Sequence, residues 1–304
     1  MIASFLLAVS LCPAWASGPA PLSDAQFSSA FKAVLQETKV SAMSLAAAID
    51  HDDLLDLLKD RDPAVRKEAL RTARFQQGIN SDVRERVFAM AGDTSEDTGV
   101  RREAVRTMFW ATNFNETRDK LLDLARRDRS LPVRAMAYKA LYQSAFTFSE
   151  IRDAVRDAAQ DEREPTVRAA AIWALFDCTG NSEILDTLMD IAKSYREDAA
   201  MRAEAVKSLF LAMNRSQVKD LVLGLAKDRG LDQDLRVPAV YALYGARNQW
   251  EVQDALKDMS RESDPDIRVA AIKALGNDDL FMRAYFHIGT HVNGHVYVSP
   301  IENE

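Results

Sequence analysis

At seven evenly spaced places the chain sets an apolar side chain directly before an arginine: Val65-Arg66, Val100-Arg101, Val133-Arg134, Val167-Arg168, Met201-Arg202, Leu235-Arg236 and Ile267-Arg268. The arginines are 35, 33, 34, 34, 34 and 32 residues apart. A period this steady marks a stacked array, in which no single unit covers its own apolar face and neighbours complete one continuous core.

The copies agree in their interior chemistry. Three residues after each arginine stands an alanine, at 69, 104, 137, 171, 205, 239 and 271. Four residues after it come Leu70, Val105, Tyr138, Ile172, Val206, Val240 and Ile272, and seven after it Ala73, Met108, Leu141, Leu175, Leu209, Leu243 and Leu275. These offsets share one face of a helix with 3.6 residues per turn, and the repeated alanine admits a close neighbour. A first helix precedes the arginine-bearing one, read from Ile151, Val155 and Ala158, then Ile184, Leu188 and Ile191, and likewise in later copies. Pro63, Pro165 and Pro265 mark helix starts. Asp62, Asp97, Glu164, Asp198, Asp232 and Asp264 stand at cap positions, with Ser130 as the exception; from there each carboxylate is expected to meet an arginine of its own or the adjacent copy.

An acidic residue, often followed by proline, and then x-V-R-x-x-A-x-x-x-L resembles the HEAT repeat, and the short period resembles the HEAT-like class related to phycobilin lyases. The resemblance covers roughly residues 50–276. It implies an all-α fold: a right-handed α-solenoid of about seven helix pairs, with first helices on the convex side and arginine-bearing helices lining the concave one. Phe27, Phe31 and Leu35 suggest a degenerate capping pair before it. The expected organisation is a signal peptide over 1–16, capping helices over 17–50, the array over 51–276 and a closing segment with a hairpin-like tail over 277–304.

The leader is read from "MIASFLLAVSLCPAWA", which has no charged side chain and ends in an A-x-A pattern, although it lacks the usual basic start. It is too short to span a membrane, which takes about 20 apolar residues. Export to the periplasm or medium is the expected localisation, cytoplasmic residence the alternative. Removal of the leader takes away Cys12 and leaves Cys178 alone, so the mature chain forms no internal disulfide. Lys and Arg total 39 against 46 Asp and Glu, a balance of −7 that opposes nucleic-acid binding by the molecule as a whole.

If the arginine-bearing helices line an inner wall, the position five residues after each arginine lies half a turn from the core and is expected to face solvent. That row reads Arg71, Arg106, Lys139, Trp173, Lys207, Tyr241 and Lys273. In an acidic chain it reverses the local sign and is suited to an acidic peptide or surface, with Trp173 and Tyr241 as anchors. Competing with this, Glu68 with Arg71, Glu103 with Arg106 and Glu204 with Lys207 form i,i+3 pairs of the kind found on an ordinary solvated helix face. The arginines Arg66, Arg101, Arg134, Arg168, Arg202, Arg236 and Arg268 form a structural ladder. Phe109, Tyr142, Phe176, Phe210 and Tyr244, eight residues after an arginine, read as packing between adjacent repeats.

His287, His291 and His295 are the residues that would have to supply a metal site. Gly289 and Asn293-Gly294 among valines and a tyrosine read instead as two short strands around a tight turn, with His295 opposite Val292. Three convergent ligands are then not expected, and neither metal nor cofactor is assigned. No His-Glu step of the HEAT-type di-iron hydroxylases, nucleophile triad, phosphate-cradling loop or Cys-x-x-Cys occurs. The expected function is a non-enzymatic scaffold or adaptor that binds a protein partner. The alternative is a lyase- or chaperone-like HEAT protein handling a chromophore or client.

Overall fold

A computed structural model describes residues 49–75 and 80–276, with 281–282, 285–286, 291–292 and 295–296 beyond them. The expected leader, all but the last residues of the expected capping pair, and His287 lie outside the described residues.

Helices alternate along the chain. The arginine-bearing helices are α2 (Pro63–Phe75), α4 (Thr98–Met108), α6 (Leu131–Ala140), α9 (Pro165–Ala174), α11 (Ala199–Ser208), α13 (Gln233–Ala242) and α15 (Pro265–Leu275). Each follows a first helix: α1 (His51–Leu57), α3 (Ser81–Gly92), α5 (Asn115–Arg127), α8 (Ser149–Asp161), α10 (Ser182–Lys193), α12 (Ser216–Lys227) and α14 (Trp250–Met259). A short helix, α7 (Tyr142–Thr147), fills the turn after α6, and 3-10 turns occupy the same place at Phe109–Ala111, Phe176–Cys178, Phe210–Ala212 and Leu243–Ala246.

Capping sets the starts. Asp97 accepts from the Val100 amide at 3.1 Å, Asp198 from Met201 at 2.8 Å, and Asp264 from Asp266 at 2.9 Å and Ile267 at 3.2 Å. The Ile267 amide, ahead of the other contacts, holds the Asp264 carboxyl below its ordinary range. Ser130 and Glu164 make no side-chain cap bond, and there Pro132 and Pro165 preset the first turn.

Each arginine-bearing helix packs on its own first helix and on the arginine-bearing helices before and after it, from α2 through α15. The first helices touch their successors more sparsely. Closer packing among the arginine-bearing helices than among the first helices is what a stack curved toward the arginine-bearing side requires, and that side is termed the inner wall. The alanine row is what permits the close approach: Ala104, Ala137, Ala171, Ala205, Ala239 and Ala271 are fully buried. Leu70, Val105, Ile172, Val206 and Val240 are equally buried, each worth about 1.5–3 kcal/mol in water-to-core transfer.

The last copy departs from the expected core. Ile272 is 58% and Leu275 36% exposed, as is Val269 at 48%. The equivalents of Ile272 in earlier copies, such as Val206 and Val240, are fully buried where a further arginine-bearing helix follows, and among the described residues none follows α15. Beyond it, β1 (His291–Val292) pairs antiparallel with β2 (His295–Val296), placing His291 opposite Val296 and Val292 opposite His295. The two histidines therefore stand at positions of opposite parity, as the turn chemistry predicts. No described helix is long and apolar enough to cross a membrane.

Candidate functional site

The row five residues after each arginine does not face solvent as expected. Arg106, Trp173 and Tyr241 are 5%, 4% and 8% exposed; Lys139, Lys207 and Lys273 are half-buried; only Arg71 is exposed. Half a turn from the core exposes a side chain only on a helix packed along one face, whereas α4, α6, α9, α11 and α13 are each flanked by arginine-bearing helices on both sides and backed by a first helix. The structure divides the row into three stretches.

In the first stretch the cations are committed internally. The buried carboxylate of Glu103 faces Arg106 Nη1 at 3.3 Å and Arg71 Nε at 3.6 Å, and pairs with Arg74 Nη2. Arg71 also meets Glu68 at 3.1 Å, and Arg74 Nε donates to Thr107 Oγ1 at 3.4 Å. The pair of Glu103 with Arg106 is thus part of a buried cluster joining α2 to α4, not part of a solvated face.

In the middle stretch the wall is aromatic. Phe109 stacks on Tyr142 with centroids 5.3 Å apart, and Tyr142 on Phe176 at 5.5 Å. This is the inter-repeat packing its spacing suggests. Trp173 packs edge-on to Tyr142 at 5.5 Å, and Lys139 holds its ammonium 5.6 Å from the Trp173 centroid.

In the last stretch the wall carries a segment of its own chain. Phe281, Met282 and Tyr285 have helical backbone, and the Phe286 amide donates to the Met282 carbonyl at 3.0 Å. Tyr285 and Phe281 pack on Tyr241 with centroids 4.5 and 5.2 Å away, and Phe286 stacks on Phe210 at 4.0 Å and 14°. Lys273 lies 3.5 Å from the Phe281 centroid and Lys207 5.8 Å from that of Tyr285. Burial raises the hydroxyl pKa of both Tyr285 and Tyr241. A shallow cleft of about 370 Å³ opens beside these two rings, bordered by Asp234, Val237, Pro238, Asp266 and Val269.

The arginine ladder is built from partners the sequence reading did not name. Arg101, Arg134, Arg168, Arg202 and Arg236 donate through Nε to the carbonyls of Ala91, Ala125, Ala159, Ala192 and Ala226, each in the last turn of the preceding first helix. That satisfies an orphan carbonyl at the negative end of a helix. Arg66, Arg101, Arg134, Arg168 and Arg236 then reach Glu96, Asp128, Glu162, Glu197 and Glu262 in the turn of the following copy. The expected partners were the cap carboxylates themselves; the observed ones stand one or two residues earlier, and at Asp97, Asp198 and Asp264 the cap carboxylate is occupied by backbone amides. Arg202 lies instead 5.0 Å from the Tyr195 ring, and Arg268 donates to the carbonyls of Glu262 and Ser263. An acidic residue recurring just ahead of the cap was the signal available for finding them.

Residues 51–142 and 118–195 match the HEAT repeat family. The chain is a HEAT-like repeat protein. The Escherichia coli protein YibA superposes on this HEAT-like chain with a TM-score of 0.52 at 17% identity, covering 87% of this chain and 95% of that one. The complex of CpcE and CpcF of phycocyanin lyase from Nostoc sp. gives 0.44 at 15%, covering 74% and 92%. Human deoxyhypusine hydroxylase gives 0.34 at 15%, covering 83% and 91%. No curated protein matches the sequence at a significant level.

Among the described residues no three His, Cys, Asp or Glu side chains are grouped to hold a metal ion. Cys178 is buried, and burial pushes its thiol up to about 12, far from the range of a nucleophilic thiolate.

Proposed function

We propose that this HEAT-like protein is a non-enzymatic scaffold that binds a protein partner along the inner wall of its arginine-bearing helices. One observation carries the reading. Lys139, Lys207 and Lys273 occupy the same position in three copies, are half-buried on the same wall, and each lies against an aromatic face. Lys207 also meets Glu204 at 3.4 Å, and the rings on Lys207 and Lys273 belong to the chain's own segment; with that segment displaced, lysines set among Trp173 and Tyr241 suit an extended protein surface with complementary groups, acidic or aromatic. Arg71 and Arg106 drop out of the partner-binding set, since Arg71 is engaged by both Glu68 and Glu103 and Arg106 is buried against Glu103. Export after removal of the leader is part of the proposal and rests on the sequence of the first 16 residues.

The test is affinity capture from the source cell with the full chain against a Lys139→Glu, Lys207→Glu double variant, melting temperatures being checked first. Loss of a defined set of captured proteins by a folded double variant supports the wall as recognition surface. Identical capture by both removes it.

A further inference from the structure

We infer that the wall around Lys207, Phe210, Tyr241 and Lys273 is a docking site for short segments bearing two or three aromatic side chains, and that Phe281, Tyr285 and Phe286 of this chain occupy it as an internal ligand. This rests on the reading of the inner wall as a recognition surface and specifies the chemistry it recognises.

Each ring of the segment meets a different feature of the wall. Phe281 lies against Tyr241 and under the Lys273 ammonium; Tyr285 lies against Tyr241 and Lys207; Phe286 lies flat on Phe210. Spacings of i and i+4 put Phe281 and Tyr285 on one side of a helix, and Phe286 follows beside Tyr285 to reach Phe210. The receiving groups come from α11 and the turn after it, from α13 and from α15, so the site exists only when three copies stack. Aromatic faces satisfy both parts of it, since they accept the lysine ammoniums and pack on the wall rings. A purely acidic segment satisfies the lysines alone.

The tether explains how such a site stays closed. The segment begins six residues after α15 ends, so it competes with any external ligand as an intramolecular one. With an effective concentration on the order of 1 mM and an intrinsic Kd on the order of 10 µM, the internal segment weakens an external ligand about a hundredfold. Only a multivalent or tighter ligand opens the site.

The probe is a fluorescent peptide with the sequence of residues 279–288, DLFMRAYFHI, followed by anisotropy against the full-length chain. The variant with Phe281→Ala, Tyr285→Ala and Phe286→Ala binds it at least tenfold more tightly than the intact chain, and adding Tyr241→Ala returns binding to the intact level. Equal binding by intact chain and triple variant overturns the inference, as does tight binding that survives Tyr241→Ala. Should the triple variant unfold, hydrogen exchange on a Lys207→Glu, Lys273→Glu chain decides: at least tenfold faster exchange at Tyr285 and Phe286 supports the site, and unchanged exchange overturns it. Failure here with partner capture still lost on Lys139→Glu, Lys207→Glu leaves the wall reading standing; peptide binding with capture unchanged does the reverse.

Discussion

Arg168 reaches Glu197 of the following copy through two parallel bonds, Nη1 to Oε2 and Nη2 to Oε1, both 2.7 Å. Its Nε donates at the same time to the Ala159 carbonyl at 2.8 Å. One planar guanidinium thus closes the end of its own first helix and ties its repeat to the next. Lysine has no fork with which to do both. Arg168→Ala is expected to destabilise the chain by about 2–3 kcal/mol, because Glu197 and a helix-end carbonyl lose their donors together. Arg168→Lys recovers less than half of that. Urea denaturation followed by circular dichroism measures both; equal stability of wild type and Arg168→Lys would argue that the fork contributes nothing.

Glu103 sits among Arg71, Arg74 and Arg106, two of them buried. Glu103→Gln leaves buried guanidinium charge without its counter-charge and is expected to cost about 3 kcal/mol. Replacing Glu68, whose contact with Arg71 is exposed, changes stability by less than about 0.5 kcal/mol. Thermal melts of the two variants rank them.

A methyl group on Gly245 would lie 2.8 Å from Met213 Cβ and 3.1 Å from its Cγ, where two successive turns of the stack cross. Gly245→Ala therefore overpacks the turn, with an expected loss of about 1–3 kcal/mol. Pairing it with Met213→Ala is expected to recover part of that loss, and a double-mutant cycle reads the coupling.

Ile272 and Val240 hold the same place in their repeats but differ in surroundings, the one 58% exposed and the other fully buried. Ile272→Lys is expected to shift stability by no more than about 0.5 kcal/mol. Val240→Lys buries an unpaired charge and costs more than about 4 kcal/mol, enough to unfold a marginal chain. A large loss from Ile272→Lys would mean that another element covers α15.

Cys178 supplies a pH dependence with a definite sign. An unfolded thiol ionises near 8.5, whereas the folded one is held up to about 12. Between those values the unfolded chain has released a proton that the native chain keeps, so stability falls as pH rises. The contribution is intact below about 8.5 and is lost toward 12. Urea midpoints compared at pH 8 and 10.5 are expected to drop further for wild type than for Cys178→Ala, by about 2 kcal/mol.

The architecture was legible because periodic burial leaves a periodic trace. Val100, Ala104 and Leu141 are buried for the same reason their counterparts are, and 34-residue spacing records that reason seven times. The cap carboxylates were legible on the same ground, being local to the helix each one starts. The ladder partners Glu96, Asp128, Glu162, Glu197 and Glu262 were written in the chain but not read, since each serves an arginine about 30 residues upstream.

By itself, then, the sequence determined which faces must be covered, where each helix begins and that neighbouring copies must stack, because those depend on spacing within one helix. Only the tertiary structure decided which cations stay available. Arg106 is spent on Glu103, Tyr241 and Lys273 are covered by Phe281, and Ile272 is left in water at the end of the stack. Burial on an inner wall is set by what lies on both flanks and above, and no single helix carries that information.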